Sequence, residues 1–228
     1  MPRATDALDA AFPAAALIAL DLIRRPEVAE RWSTPSALPH LSVGALACHL
    51  GRQAVRAAEG LAVPADGPAR QPGDQPAPPP VELPVLASAD EHYHRAAWVT
   101  AGPPAGPSED DPDEADAARG PADLQARTAR ATQTVRELLT QGARDVVPIP
   151  WQGWALRRGD FLLTRQLEVV VHCDDLAVSV GVPTPTFPEE VFGPVRDLLV
   201  RLAEHRHGQS AVIGALTRSE RGRDISAF

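Results

Sequence analysis

Five polar residues, Arg165, Glu168, His172, Asp175 and Ser179, recur at steps of three, four, three and four in a stretch that is otherwise almost wholly apolar. On a helix, residues three and four apart share a face, so the five form one stripe. Leu162, Leu167, Val169, Val170, Leu176 and Val178 are among the residues covering the rest of the cylinder. A surface helix carries an apolar stripe on a polar cylinder; this helix is inverted, and its polar line should face inward. A buried charge without a partner costs several kcal/mol, comparable with the stability of a whole domain, so the stripe demands a partner.

Two arrangements supply one. In the first, Glu168 and His172 project from adjacent turns and offer a carboxylate oxygen and an imidazole nitrogen to a single point. A third ligand from another helix would complete an open metal platform, whereas structural sites are closed by four protein ligands. In the second, the stripe satisfies itself: Arg165 pairs with Glu168 or Asp175, and His172 bonds to one of them. Spacing alone leaves both open, because a Glu-x-x-x-His pair is a common helical feature. His49 is the best third ligand, since it lies mid-helix between Leu46 and Leu50, where an imidazole must find partners. His92 and His94 alternate rather than share a face, His205 and His207 sit at an arginine-rich helix end, and His40 lies in a turn. Cys48 and Cys173 adjoin two of the proposed ligands, but neighbouring helical residues point about 100° apart. Each cysteine therefore reads as a small buried hydrophobe with a reduced thiol. Trp151 and Trp154 could line a pocket mouth, but core or loop-anchoring aromatics are commoner, and the acidic run over residues 109–114 reads as a solvated loop. There is no Gly-rich phosphate loop and no Gly-x-Ser-x-Gly elbow, which leaves nucleotide binding and serine hydrolysis without support.

The elements that must position these residues are mostly helical. Leu8, Phe12, Ala15, Ala19 and Ile23 repeat at helical spacing up to Pro26, with Pro13 opening or kinking that helix. After an irregular connection over 32–39, Ser42 caps a second helix whose inward face runs from Val43 to Leu61 and has His49 at its edge. Residues 64–84 carry eight prolines and read as an extended surface excursion. A short helix over 89–98 follows, then a second loop, acidic and proline-rich, over 102–116. Pro121 starts a long helix that Gly142 stops, and residues 146–156 read as a hairpin or irregular turn. Asp160 is expected to cap the striped helix, which ends at Gly181. A capping box from Thr186 to Glu189 should open the next helix, and Ser210 a last short one. Four substantial helices without alternating strands predict a mostly α, antiparallel four-helix bundle over residues 5–182, with a helical extension over 183–228 packed on it.

Composition narrows the function classes. The chain has 228 residues and a formal net charge of -8, which argues against nucleic acid or an anionic membrane as its partner. All 22 basic residues are arginine, in an alanine- and proline-rich background typical of GC-rich coding. Residues 1–9 show no export signal, and no stretch approaches the roughly 18 apolar residues of a membrane span. A soluble, cytoplasmic protein is expected.

Three segments carry a resemblance. WSTPSALPHLSVGALACHL over 32–50, LTRQLEVVVHCDDLAVSVG over 163–181 and the tail HGQSAVIGALTRSERGRDISAF resemble the mycothiol-dependent maleylpyruvate isomerase family, within the superfamily of DinB-like metal-binding four-helix bundles. The resemblance implies zinc on His49, Glu168 and His172, and mycothiol as a thiol cosubstrate. It implies an isomerase or S-transferase working on a small, maleylpyruvate-like electrophile. Arg165 would orient a ligand carboxylate, and Asp175 would fix a ligand imidazole. Two other functions suit the same residues. One is a zinc hydrolase, for which Asp174 or Glu91 would have to serve as general base; the other is a non-catalytic metal-binding interaction module. Either a monomer or a homodimer would fit.

Overall fold

A computed structural model describes residues 4–63, 83–96 and 112–228. Its elements are α1 (Ala4–Ile23), α2 (Pro26–Glu30), α3 (Val43–Leu61), α4 (Ala89–Arg95), α5 (Pro112–Ala117), α6 (Pro121–Gln141), β1 (Val146–Ile149), β2 (Trp154–Arg157), α7 (Arg158–Val180), α8 (Glu189–His207) and α9 (Gln209–Thr217). A single 3-10 turn, Ser219–Arg221, follows α9. The fold is a mostly α, DinB-like bundle in which α3 packs on α6 and α7, and α1 on the same two helices. Phe12, Ile23, Leu46, Leu50, Leu124, Leu162, Leu167 and Leu176, drawn from all four, are fully buried at its centre.

The local reasons are those of the sequence in some places and not in others. Ser42 caps α3 by accepting from the Ala45 amide at 3.1 Å, and Gly142 and Gly181 end α6 and α7 at positive φ. Pro13 lies inside α1, not at its start; burial of Phe12, Ala15 and Ala16 around it outweighs the one ladder bond a proline removes. Three expected caps are not formed. Arg157 occupies the cap position of α7 in extended conformation, and Asp160, one turn in, accepts instead from the Ala89 amide at 3.0 Å. Pro188 precedes α8 without any side-chain cap, so the Thr186–Glu189 box does not close. Gly208, at φ 83, both ends α8 and opens α9, which places Ser210 inside the last helix. In each case a longer-range contact or a proline- or glycine-set backbone decided the boundary. The short helix expected over 89–98 ends at Arg95, and residues 97 and 98 lie outside the described residues.

Two further features place the site. The β1–β2 hairpin is antiparallel, from Val146 opposite Arg157 to Ile149 opposite Trp154, and runs directly into α7. The segment ahead of α4 lies alongside β2, with Leu86 donating to the Ala155 carbonyl and the Ala155 amide to Pro84, each at 2.9 Å. That pairing docks α4 against α7. On the other side, α3 and α6 approach so closely that a Cβ on Gly51 would lie 2.5 Å from Thr128 Oγ1 and 2.8 Å from Leu124 Cδ1. Any larger residue there would have to displace Thr128 or Leu124.

The proline-rich excursion over 64–82 and the loop expected over 102–111 fall outside the described residues. Residues 112–117, expected to continue that loop, instead form α5 and pack on α3. After Gly181, Val191, Val195, Leu198 and Leu202 of α8 are buried in the same core as the bundle, against α1 and α7. Among the described residues no helix is long and apolar enough to cross a membrane.

Candidate metal centre

Helices α3 and α7 meet with their polar residues facing each other. His49, Glu168 and His172 each present one ligand atom, and the three atoms lie within 4.8 Å of one another. Glu168 Oε2 is 3.2 Å from His172 Nε2 and 3.6 Å from His49 Nε2. The two imidazoles meet edge to face, with ring centroids 4.7 Å apart. A tetrahedral zinc with bonds of about 2.0–2.1 Å requires ligand atoms about 3.3–3.4 Å apart. The two observed oxygen–nitrogen separations bracket that spacing, and two imidazole nitrogens with a carboxylate oxygen are a donor set suited to a divalent ion.

The atoms that do not converge are each held from behind. His49 Nδ1 is 2.9 Å from Asp113 Oδ2, and His172 Nδ1 is 2.9 Å from Asp175 Oδ2. A neutral imidazole that donates its Nδ1 proton to a carboxylate must carry a lone pair on Nε2, so both rings are set to offer that lone pair to the centre. The Tyr93 hydroxyl, fully buried, lies 3.3 Å from Glu168 Oε1 and 3.2 Å from the Thr164 carbonyl, and can donate its proton to either. Glu168 is thereby steadied through Oε1 and left free through Oε2.

The electrostatics follow from the same contacts. Burial opposes a charge on His172, but hydrogen bonds to Asp175 and Glu168 outweigh it and push its pKa up to about 9. His49 behaves alike: burial works against protonation, Asp113 and Glu168 overcome it, and the net shift is upward. Burial would raise the pKa of Glu168, yet His172, His49 and the charge of Arg165 together hold it well below the usual carboxylate range. Without a metal the centre is a carboxylate shared by imidazoles that tend to hold protons, and a cation would take the place of those protons.

Arg165 is held otherwise than in the self-satisfied stripe. It is 9% exposed, its Nη1 donates to Gln53 Oε1 at 2.8 Å and its Nε to Thr164 Oγ1 at 3.3 Å. Asp175 is engaged by His172, so the Arg165–Asp175 ion pair of the self-satisfied stripe is not formed. Ser179, at the end of the stripe, donates to the Asp175 carbonyl and accepts from the Ala37 amide, which ties α7 to the 32–39 connection.

Two residues of the centre were not anticipated. Asp113 belongs to the acidic run expected to be solvated, yet it is 5% exposed on α5, where Arg52 reaches its Oδ1 at 2.7 Å and Asp116 Oδ2 at 3.0 Å. Its neighbour Glu114 accepts from the Ser42 amide and hydroxyl at 2.7 and 2.9 Å, beside the start of α3. The available signal was Pro112 as a first helical residue followed by acids three apart, a spacing that makes one helical face. Tyr93, the one tyrosine of the chain, sits on α4 between two histidines and gave no signal of its own.

The remaining candidates lie away from the ligand triad. His92 is buried, and its Nδ1 accepts the indole N–H of Trp154 at 3.1 Å; burial, then the charge of Arg165, push its pKa down to about 4. His94 stacks on His205 at the surface, and His207 bonds to the Ser226 carbonyl. Burial pushes the Cys48 thiol up to about 12 and raises that of Cys173 further, so both stay protonated. Asp174 accepts from Thr184, and Glu91 accepts from the Ala87 amide and pairs with Arg95. Both proposed hydrolytic bases are thus committed elsewhere.

A family model described as the mycothiol maleylpyruvate isomerase N-terminal domain matches residues 12–177, a span that contains all three ligand candidates and Asp113, Asp175 and Tyr93. No curated protein and no solved structure matches the chain.

Proposed function

The chain belongs to the mycothiol maleylpyruvate isomerase N-terminal domain family, and on that premise we propose that it is a zinc-dependent, mycothiol-using isomerase or S-transferase acting on a small, maleylpyruvate-like electrophile. The observation that carries the reading is the convergence of His49 Nε2, His172 Nε2 and Glu168 Oε2, each on a side chain whose other polar atom is held by a separate residue. Three protein ligands leave coordination positions open, the mark of a catalytic rather than a structural site.

Zinc bound there would supply a Lewis acid that lowers the pKa of a thiol brought to it. The protein residues have distinct tasks around that chemistry. Asp113 and Asp175 keep the imidazoles in the tautomer that can ligate, and Tyr93 keeps Glu168 from turning away. Arg165, pinned by Gln53 and Thr164, is a fixed cation able to orient a ligand carboxylate. Both cysteines are buried, and burial pushes their thiols up, which favours a sulfur supplied by a cosubstrate. In isomerisation the thiol adds across an activated double bond, the resulting single bond rotates, and expulsion of the same thiol restores the alkene in the trans geometry. In S-transfer the adduct is the product. The reading keeps residues 5–182 as the metal-binding bundle and 183–228 as its extension, in a cytoplasmic protein that acts as a monomer or homodimer.

The test is turnover of maleylpyruvate by the purified, zinc-loaded protein, with and without mycothiol and after chelation. Activity should require both thiol and metal, and His49→Ala, Glu168→Ala and His172→Ala should each empty the site. Turnover of a hydrolysable substrate without thiol would replace this reading with a zinc hydrolase. Zinc-loaded protein with neither thiol-dependent turnover on a panel of electrophiles nor thiol binding by calorimetry would leave a metal-binding interaction module.

A further inference from the structure

Helix α3 brings more than one ligand to the centre. His49, Arg52, Gln53 and Arg56 lie three, four and seven residues along it and share a face. The first three are spoken for. His49 is tied to Asp113, Arg52 to Asp113 and Asp116, and Gln53 receives Arg165 while donating to the His49 carbonyl. Arg56 differs. Half-buried one turn beyond Gln53, it has no carboxylate bonded to it among the described residues, and its guanidinium carbon lies 5.9 Å from the centre of the Trp151 ring. Trp151 stands in the turn between β1 and β2 and is 69% exposed, so this contact is at the solvent boundary.

We propose that Arg56 is a second anion-recognition residue of this centre beside Arg165, leaving the Trp151 ring to bind a carboxylate of the small molecule that occupies the site and so selecting anionic over neutral ligands. The proposal rests on the metal-centre reading above. Three arginines, Arg52, Arg56 and Arg165, surround one region of the bundle, and two of them are pinned by hydrogen bonds. Arg56 is the one among the described residues held by an aromatic face alone. A cation over an exposed ring gains only about two- to fivefold in population, whereas a guanidinium fork on a carboxylate makes two charge-assisted hydrogen bonds. Exchange of the first for the second is therefore favourable. Burial, followed by the charges of Arg165 and Arg52, already disfavours the cation at Arg56, and an incoming anion would offset the repulsion between the arginines. The result is a pair of arginines on the two helices that carry the ligand triad, Arg165 held by Gln53 and Thr164, and Arg56 with no hydrogen bond to hold it among the described residues.

The experiment uses the zinc-loaded full chain and two probes of one shape, maleate and its neutral diamide maleamide, titrated by calorimetry. Wild-type protein should bind maleate at least about tenfold more tightly than maleamide. Arg56→Gln should lower maleate affinity by about tenfold or more, leave maleamide within about twofold, and hold zinc as well as the wild type does. Arg56→Lys, which keeps the charge but not the fork, should fall between, and Trp151→Ala should bind maleate about two- to fivefold more tightly because the competing ring is gone. Unchanged maleate affinity in both arginine variants, or equal losses for maleate and maleamide, would overturn the proposal. Wild-type protein that fails to take up zinc would instead remove the metal reading, a different failure seen in a different measurement.

Discussion

Asp113→Asn is the most direct trial of the idea that the centre is built from behind. The substitution preserves size and an acceptor oxygen but removes the charge facing His49 Nδ1 at 2.9 Å. Loss of such an outer partner typically costs about 10- to 100-fold in metal affinity, or about 1.4–2.7 kcal/mol. The structure says where in that range to look. The side chains of His49 and Asp113 are only 26% and 8% exposed, so solvent and salt screen the pair little. Against that, Asp113 also faces Arg52 at 2.7 Å, which already draws charge from the imidazole. A loss of about 10- to 30-fold is expected. Zinc affinity would be measured by competition with a chromophoric chelator at fixed pH, with circular dichroism to verify the fold. Asp116→Asn is the control: it sits on the same short helix and shares Arg52, but does not touch His49, so it should change zinc affinity by no more than about threefold. Equal effects of the two variants would show that α5 matters only by docking on α3. Wild-type affinity in Asp113→Asn would refute the outer-partner argument outright.

Two further outcomes follow from the same geometry. With the pKa of His172 raised to about 9 and that of His49 also raised, apparent zinc affinity should climb as pH rises from neutrality to about 9 and then level, with proton release on binding. The sign is that of groups protonated in the metal-free fold: their stabilisation is full below the unfolded histidine value of about 6.5 and lost as pH rises through about 9. Chelated protein should therefore melt lower at pH 9 than at pH 6.5, and no such drop would mean the imidazoles are neutral throughout. Gly51→Ala should destabilise the bundle by about 1–3 kcal/mol in urea titration, because a Cβ 2.5 Å from Thr128 Oγ1 forces α3 away from α6; a neutral result would show that the interface has slack.

Much of this protein was legible from one dimension. The inverted stripe on α7 faces inward because charge among apolar residues leaves a helix no cheaper orientation, and the three-four spacing alone put Glu168, His172 and Asp175 on one line. Helix periodicity, the Ser42 cap and the Gly142 and Gly181 stops are local chemistry, set by residues a few positions apart. What required the tertiary structure was every relation across the chain. Asp113 is 64 residues from His49 and Tyr93 is 75 from Glu168, and no local pattern marks either pair. The acidic run reads as solvated because five carboxylates in six positions are usually exposed; Arg52 and the start of α3, brought by a separate helix, give two of them partners and make burial favourable. Arg165 was likewise ambiguous until packing set Gln53 opposite it and gave Asp175 to His172. The sequence by itself determined the long helices and the inward face of the polar line, since periodicity and the cost of buried charge act along the chain. Which residue satisfies each buried atom was decided only in three dimensions, because a hydrogen bond depends on distance in space and is blind to separation in sequence.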